Sequence, residues 1–118
     1  MQRGLLGLMA NIYKKINTDL ITTEEKVAYT VPSNSRALIK SIHIFNEGAG
    51  AAALQIKIKD GTSATTYFYD KTSLAADANE EFINNVLILQ ENDELRFLSD
   101  ITGPDVIISL LEINREDR

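Results

Sequence analysis

The stretch Leu54-Gln-Ile-Lys-Ile-Lys-Asp-Gly61 decides the fold class of this chain. Its apolar and polar residues alternate strictly, and a period of two is typical of a β-strand with one buried face. The Asp-Gly pair then predicts a turn, and residues 65–70 supply the returning strand of a hairpin. Because consecutive aromatic residues occupy that returning strand, we expect both of its faces to be partly covered.

The segments on both sides of this hairpin repeat the pattern of short apolar runs separated by turn residues, without a sustained helical period. In residues 36–46, Leu38, Ile42 and Ile44 are assigned to the core, and residues 74–82 are predicted to form a loop. The predicted strands are residues 26–31, 36–46, 54–59, 65–70, 84–89, 95–97 and 106–113. This pattern predicts an all-β, antiparallel sandwich, jelly-roll-like, with about seven or eight strands.

The 118 residues fit one domain with short extensions. We predict an N-terminal arm or first strand in residues 1–24, the sandwich in residues 25–113 and a charged tail in residues 114–118. The apolar stretch near the start is too short for a secretory signal or a membrane span. Either Met1 or Met9 can serve as the translation start.

Charge and composition limit the classes of partner that the chain is expected to bind. A formal net charge of -5 and the lack of a Lys/Arg cluster oppose binding to phosphate backbones, so we expect no nucleic-acid partner. No apolar run is long enough for a membrane helix, so we expect no membrane partner. The chain has no Cys, which excludes disulfides, zinc ribbons and thiol catalysis. Stability must therefore come from packing and association.

No residue pattern in the chain indicates chemistry. His43 is the single histidine, and it lies in an apolar strand that offers no sign of a nucleophile and base. Residues 77–81 imitate the start of a calcium loop, but Phe82 and Ile88 stand where the loop requires Gly and Glu. The glycines of residues 47–53 lack the Lys of a phosphate loop. We predict no catalytic residue, no metal site, no cofactor and no enzymatic activity.

The final predicted strand is apolar on both faces. Val106, Ile108 and Leu110 fill one face, and the alternate residues fill the other, although one face of an antiparallel sheet is normally wet. A second subunit can cover the extra face, or the N-terminal segment of the same chain can fold over it, and we favour the subunit. An arm in residues 1–24 would then reach a neighbouring copy. The predicted interface residues are Leu5, Leu6, Ile12, Ile107, Leu111 and Ile113.

The aromatic hairpin allows two interpretations. Tyr67 and Tyr69 are candidates for a platform on which a sugar ring stacks, as in a receptor-binding protein. Cross-strand packing is the commoner use of aromatic residues beside a hairpin turn, and we favour it.

Three segments resemble a group of small virion structural proteins of tailed phages. Residues 29–46 contain a Thr-Val-Pro turn and a strand that ends Ser-Ile-His-Ile-Phe-Asn; residues 86–97 contain two strands around a turn; residues 109–113 form the closing strand. Asn92 stands where that group usually has Gly, and Asn also tolerates the left-handed conformation. The resemblance spans roughly residues 11–113.

The resemblance implies a β-sandwich building block of a virion, assembled in the host cytoplasm, and leaves head decoration, neck and tail open. We expect a homo-oligomer that also contacts other virion proteins of the capsid or tail. The alternative is a receptor- or glycan-binding module on the phage tail or capsid surface, which would use exposed loops or the aromatic hairpin.

Overall fold

The computed structural model describes the backbone of residues 9–115 and the side chains of residues 11–115. Nine strands form in this range, and no helix does. They are β1 (Met9–Asp19), β2 (Lys26–Thr30), β3 (Ser35–Asn46), β4 (Ala52–Lys59), β5 (Thr66–Leu74), β6 (Asn79–Glu81), β7 (Leu87–Leu89), β8 (Glu94–Ser99) and β9 (Pro104–Arg115).

The strands form two antiparallel sheets. The first sheet has the order β1-β9-β3-β6, with β7 also paired to β3, and the second has the order β2-β8-β4-β5. Because β6 and β7 both lie beside β3, they fill one position together, and each sheet has four positions. Strands adjacent in sequence mostly alternate between the sheets, which is the double Greek key of a jelly roll. The predicted antiparallel, jelly-roll-like sandwich is confirmed.

Two strands have no counterpart among the seven predicted ranges: β1, which lies where an N-terminal arm or first strand was predicted and pairs with β9 of the same chain, and β6. The strand β6 lies within residues 74–82, where a loop was predicted, and that prediction is wrong for Asn79–Glu81. Its side chains are all exposed, so no apolar alternation marks it in the sequence. Pairing with β3 and the carboxylate of Glu81 hold it instead. The preceding strand β5 continues to Leu74, beyond the predicted end of the hairpin.

The core lies between the sheets, and a β-bulge in β3 determines which residues enter it. The register of β3 against β9 shifts between Ile39 and Ser41. The extra residue reverses the alternation, so Ala37 and Ile39 are buried before the bulge and Ile42 and Ile44 after it. The assignment of Leu38 to the core is therefore wrong: it lies on the opposite face, and Ile39 takes the core position.

The end of β3 is fixed by a buried amide. The side-chain nitrogen of Asn46 donates to the carbonyl oxygens of Gly50 and Leu74, each at 2.9 Å. Its side-chain oxygen accepts from the backbone N–H of Gly48 at 2.9 Å. Asn46 is fully buried, so these bonds satisfy polar atoms that water does not reach. They anchor the loop between β3 and β4 to the end of β5.

The turn before β8 adopts the conformation expected from its sequence. Asn92 has φ of 68°, in the left-handed region that Asn tolerates better than most residues. The polar turn that the sequence indicates before β8 is therefore formed, with Asn92 in the left-handed conformation.

Candidate interaction surface

The face of the first sheet that points away from the second sheet, here called the outer face, carries the second apolar side of β9. Val106, Ile108 and Leu110 are buried in the core, so the alternate residues of β9 lie on the outer face. Ile107 is 42% exposed there, and Leu111 and Ile113 are half-buried. The structure thus brings together three of the residues that the sequence indicated as an interface.

Neighbouring strands extend this surface into an apolar row. The pairing registers align Tyr13 of β1 with Leu111, Leu111 with Leu38 of β3, and Leu38 with Ile88 of β7. Tyr13 is 78% exposed and Ile88 is 58% exposed. Directly opposed residues of antiparallel strands share a face, so these four side chains cross the whole sheet. We call Tyr13, Leu111, Leu38 and Ile88 the apolar row.

The other predicted interface residues lie elsewhere. Ile12 is exposed, but it pairs with the buried Glu112 and therefore lies on the opposite face of β1 from Tyr13. Leu5 and Leu6 lie outside the described residues. Sequence reasoning missed the members of the apolar row outside β9. Tyr13 lies in residues 1–24, where an arm or first strand was predicted without an assigned face, and the bulge disguised the orientation of Leu38.

The outer face has an acidic end. Asp19 of β1 and Asp105 of β9 are direct register partners, and Glu47 follows β3 at the same end. A hydrogen bond with Asp105 and its charge raise the pKa of Asp19. A hydrogen bond with Glu47, partial burial and the charge of Glu47 raise the pKa of Asp105. These carboxyl groups crowd one another, and we call Asp19, Glu47 and Asp105 the acidic end.

The opposite end of the outer face is basic. Arg36 of β3 pairs with Ile113 of β9, and Arg115 ends β9 one step further on. Glu91 lines the same shallow depression and offsets part of their charge. Lys15 and Lys40 line a second depression, near the middle of the face. The outer face is therefore polarised along its strands, and we call Arg36 and Arg115 the basic end.

The single histidine also lies on this face. His43 is half-buried and pairs with Ile107 on one side and Glu81 on the other.

The hydroxyl of Ser41 donates to Glu81, which also accepts from the backbone N–H groups of Ile42 at 2.9 Å and Ile83 at 3.0 Å. Partial burial alone would raise the pKa of Glu81, but these hydrogen bonds outweigh it and lower the pKa. The carboxylate serves to fix β6 against the bulge.

The aromatic residues of β5 are arranged differently from the prediction. Tyr67 and Phe68 are more than half exposed, so the expected cover of the two faces of this strand is only partial. The cause is that β5 is the edge strand of the second sheet. The Phe68 ring lies 5.2 Å from the Nζ atoms of both Lys57 and Lys71. Tyr69 packs against the core, and its hydroxyl donates to the carbonyl oxygen of Phe82 at 3.1 Å. Tyr67 and Tyr69 thus have different surroundings.

Two further features of residues 9–115 bear on function. Among residues 9–115, no group of three or more His, Asp or Glu side chains is placed to hold a metal ion. Within the same residues, the structure contains no helix with the length and apolarity needed to cross a membrane.

Comparison with known proteins identifies the fold but no family. No protein family matches the sequence, and no curated protein matches it. Among solved structures, the chain is similar to a subunit of the Bacillus endospore appendages, which form disulfide-linked pili. The TM-score is 0.57 with 10% identity, covering 99% of this chain and 98% of that one.

Two viral structures are similar to nearly the same extent. The acidic stable capsid of Helicobacter pylori bacteriophage KHP30 matches with a TM-score of 0.54 and 10% identity, over 94% of this chain and 100% of that chain. The extra small virus of the giant freshwater prawn Macrobrachium rosenbergii, solved as a VLP, matches with a TM-score of 0.54 and 9% identity, over 99% and 86%. At these identities the matches establish a shared fold.

Proposed function

We propose that this chain is a non-enzymatic structural protein of a tailed-phage virion that works through self-association and contacts with other virion proteins. The observation that carries the proposal is the apolar row, which crosses the outer face of a sheet where polar side chains are the norm. Removing this apolar area from water on contact with another surface would be the driving force of assembly.

The fold supports the same proposal. The structurally similar proteins include a phage capsid, a viral particle and a pilus, and each of these is an assembly of many subunits. The 118 residues contain no Cys, so association through them would be noncovalent, unlike the disulfide linkage of the pili. The resemblance of residues 29–46, 86–97 and 109–113 to tailed-phage proteins supports a virion over a pilus.

The proposal is tested by measuring the mass of the protein in solution and its location in phage particles. Light scattering of the purified full chain should give an oligomer mass, and a labelled antibody should bind intact tailed-phage particles at regular positions on the head, neck or tail. Particles are assembled in the host cytoplasm under this proposal, so the subunit should also appear there before lysis. A protein that is monomeric in solution and absent from purified particles would overturn the proposal.

A glycan- or receptor-binding module is the second candidate, and the exposed side chains of Tyr67 and Phe68 favour it. Exposed aromatic rings beside lysines are suited to stacking on sugars. Glycan-array binding that disappears in Tyr67→Ala, and persists in the matched control Ile88→Ala on the other sheet, would favour this candidate. An array without binding would leave assembly as the proposed function.

A further inference from the structure

We infer that the outer face of the first sheet binds a second copy of this chain, face to face and antiparallel, around a two-fold axis that crosses the strands near Ser109. This inference rests on the self-association in the proposed function and assigns it a surface and an orientation. Isologous contacts of this kind place one patch against the same patch of the other copy.

The position of the axis follows from the order of residues along β9. Ser109 lies at the middle of the outer face, with Leu111 and Ile113 towards the basic end and Ile107 and Asp105 towards the acidic end. Rotation about an axis through Ser109 places Leu111 of one copy over Ile107 of the other. Leu111 and Ile107 of the two copies then meet on both sides of the axis, whereas Tyr13, Leu38 and Ile88 lie over Asn17, His43 and Glu81 of the second copy.

Charge complementarity selects the antiparallel orientation. The rotation brings the basic end over the acidic end of the second copy, and it does so twice because of the symmetry. Arg36 and Glu47 lie at opposite ends of the β3 line, so they approach each other across the interface. A parallel arrangement would stack the crowded carboxyl groups on one another, which like-charge repulsion opposes. The same rotation places Lys15 over Lys15 and Lys40 over Lys40 near the axis, and like-charge repulsion between these pairs opposes the contact except where their long, exposed side chains extend to water.

The size of the face also fits a second copy. Four strand positions and the eleven residues of β1 paired with β9 span about 19 Å by 37 Å, or roughly 700 Å². A standard interface buries about 800 Å² on each partner. Residues 1–8, even if fully extended, would form a strip about 27 Å long and one strand wide, which covers only a fraction of this face. A second copy is therefore the better match.

The test uses charge reversal in the full-length chain. Sedimentation over a dilution series should show that Arg36→Glu and Glu47→Lys each weaken dimerisation roughly tenfold or more. The double variant exchanges the two charges and should restore the dissociation constant to within a few-fold of the unmodified chain. Both side chains are exposed, and thermal unfolding of each variant checks that the fold is retained. Lys71→Glu, on the exposed edge of the second sheet, is the matched control and should leave dimerisation unchanged.

The following outcomes would contradict the inference. Unchanged dimerisation in both single variants would mean that another surface is used, and a double variant weaker than either single would exclude the antiparallel pairing. Stronger association on deletion of residues 1–8, with no effect of charge reversal, would assign the face to that segment. If the unmodified chain is monomeric in solution but present in phage particles, this inference fails while the proposed function stands. Absence from particles contradicts the proposed function itself.

Discussion

Tyr29 of β2 donates its hydroxyl to the carboxylate of Glu112 of β9 at 2.5 Å, and this bond joins the two sheets across the sandwich. Glu112 is only 2% exposed, and Lys14 of β1 reaches it at 3.1 Å. Burial alone would raise the pKa of Glu112, but the hydrogen bonds from Tyr29 and Lys14 outweigh it and lower the pKa. Burial and the bond to Glu112 raise the pKa of Tyr29. A charged carboxylate is thus held at the rim of an apolar core.

Replacing Tyr29 by Phe should destabilise the chain by about 1.5–3 kcal/mol, because a buried carboxylate loses a donor that water does not replace. Urea unfolding of the two proteins measures the difference. Tyr67→Phe removes the same hydroxyl from an exposed ring and should change the free energy of unfolding by less than about 0.5 kcal/mol. Equal effects of the two substitutions would show that the Tyr29–Glu112 bond does not support the fold.

Replacing Asp105 by Asn should stabilise the chain at neutral pH and have little effect in acid. The folded-state pKa values of Asp19 and Asp105 are raised by their neighbours, so their contribution to stability is present at low pH and is lost as pH rises through those pKa values. Glu81 and Glu112 behave oppositely: their pKa values are lowered, and their contribution is lost as pH falls. The Asp105→Asn substitution removes one charge from the acidic end, so it changes the contribution of Asp19 and Asp105 and leaves that of Glu81 and Glu112 unchanged.

Urea midpoints measured from neutral to acid pH test this prediction. The difference between Asp105→Asn and the unmodified chain should shrink towards zero as pH falls. Glu80→Gln, which alters an exposed carboxylate on β6, serves as the control and should show no such trend. A gain in stability that is the same at all pH values would point to a cause other than carboxylate repulsion.

Replacing Asn46 by Ala should cost about 2–4 kcal/mol of stability, because the carbonyl oxygens of Gly50 and Leu74 and the N–H of Gly48 lose a buried partner. Asn46→Asp retains the acceptor for Gly48 but turns a carboxylate oxygen towards the two carbonyls, so it should cost at least as much. Chemical denaturation measures both variants. Asn79→Ala, at an exposed position of β6, is the control. An Asp variant as stable as the unmodified chain would contradict the role of the two donated bonds.

The fold was predictable because strict alternation in residues 54–59 and the Asp-Gly turn each depend on local sequence alone. Which residues lie on the outer face could not be predicted in this way. The bulge near Lys40 exchanges the roles of Leu38 and Ile39, and it is maintained by pairing with β9, which is distant in sequence. Glu112 interrupts the apolar pattern of β9, and its partner Tyr29 lies 83 residues away, so only the folded chain reveals why a charge is tolerated there.

Replacing Tyr13 and Ile88 by Lys should weaken self-association without unfolding the chain. Both side chains lie at the ends of the apolar row and are more than half exposed, so little core packing is lost, whereas desolvating two lysines opposes burial of the face. Light scattering over a concentration series measures the association, and thermal unfolding checks the fold. Ile21→Lys, after β1, and Val27→Lys, on β2 of the second sheet, change exposed apolar residues outside the apolar row and are the matched controls. If these controls weaken association as much as the row variants, the driving force is general surface hydrophobicity and the outer face has no special part in it.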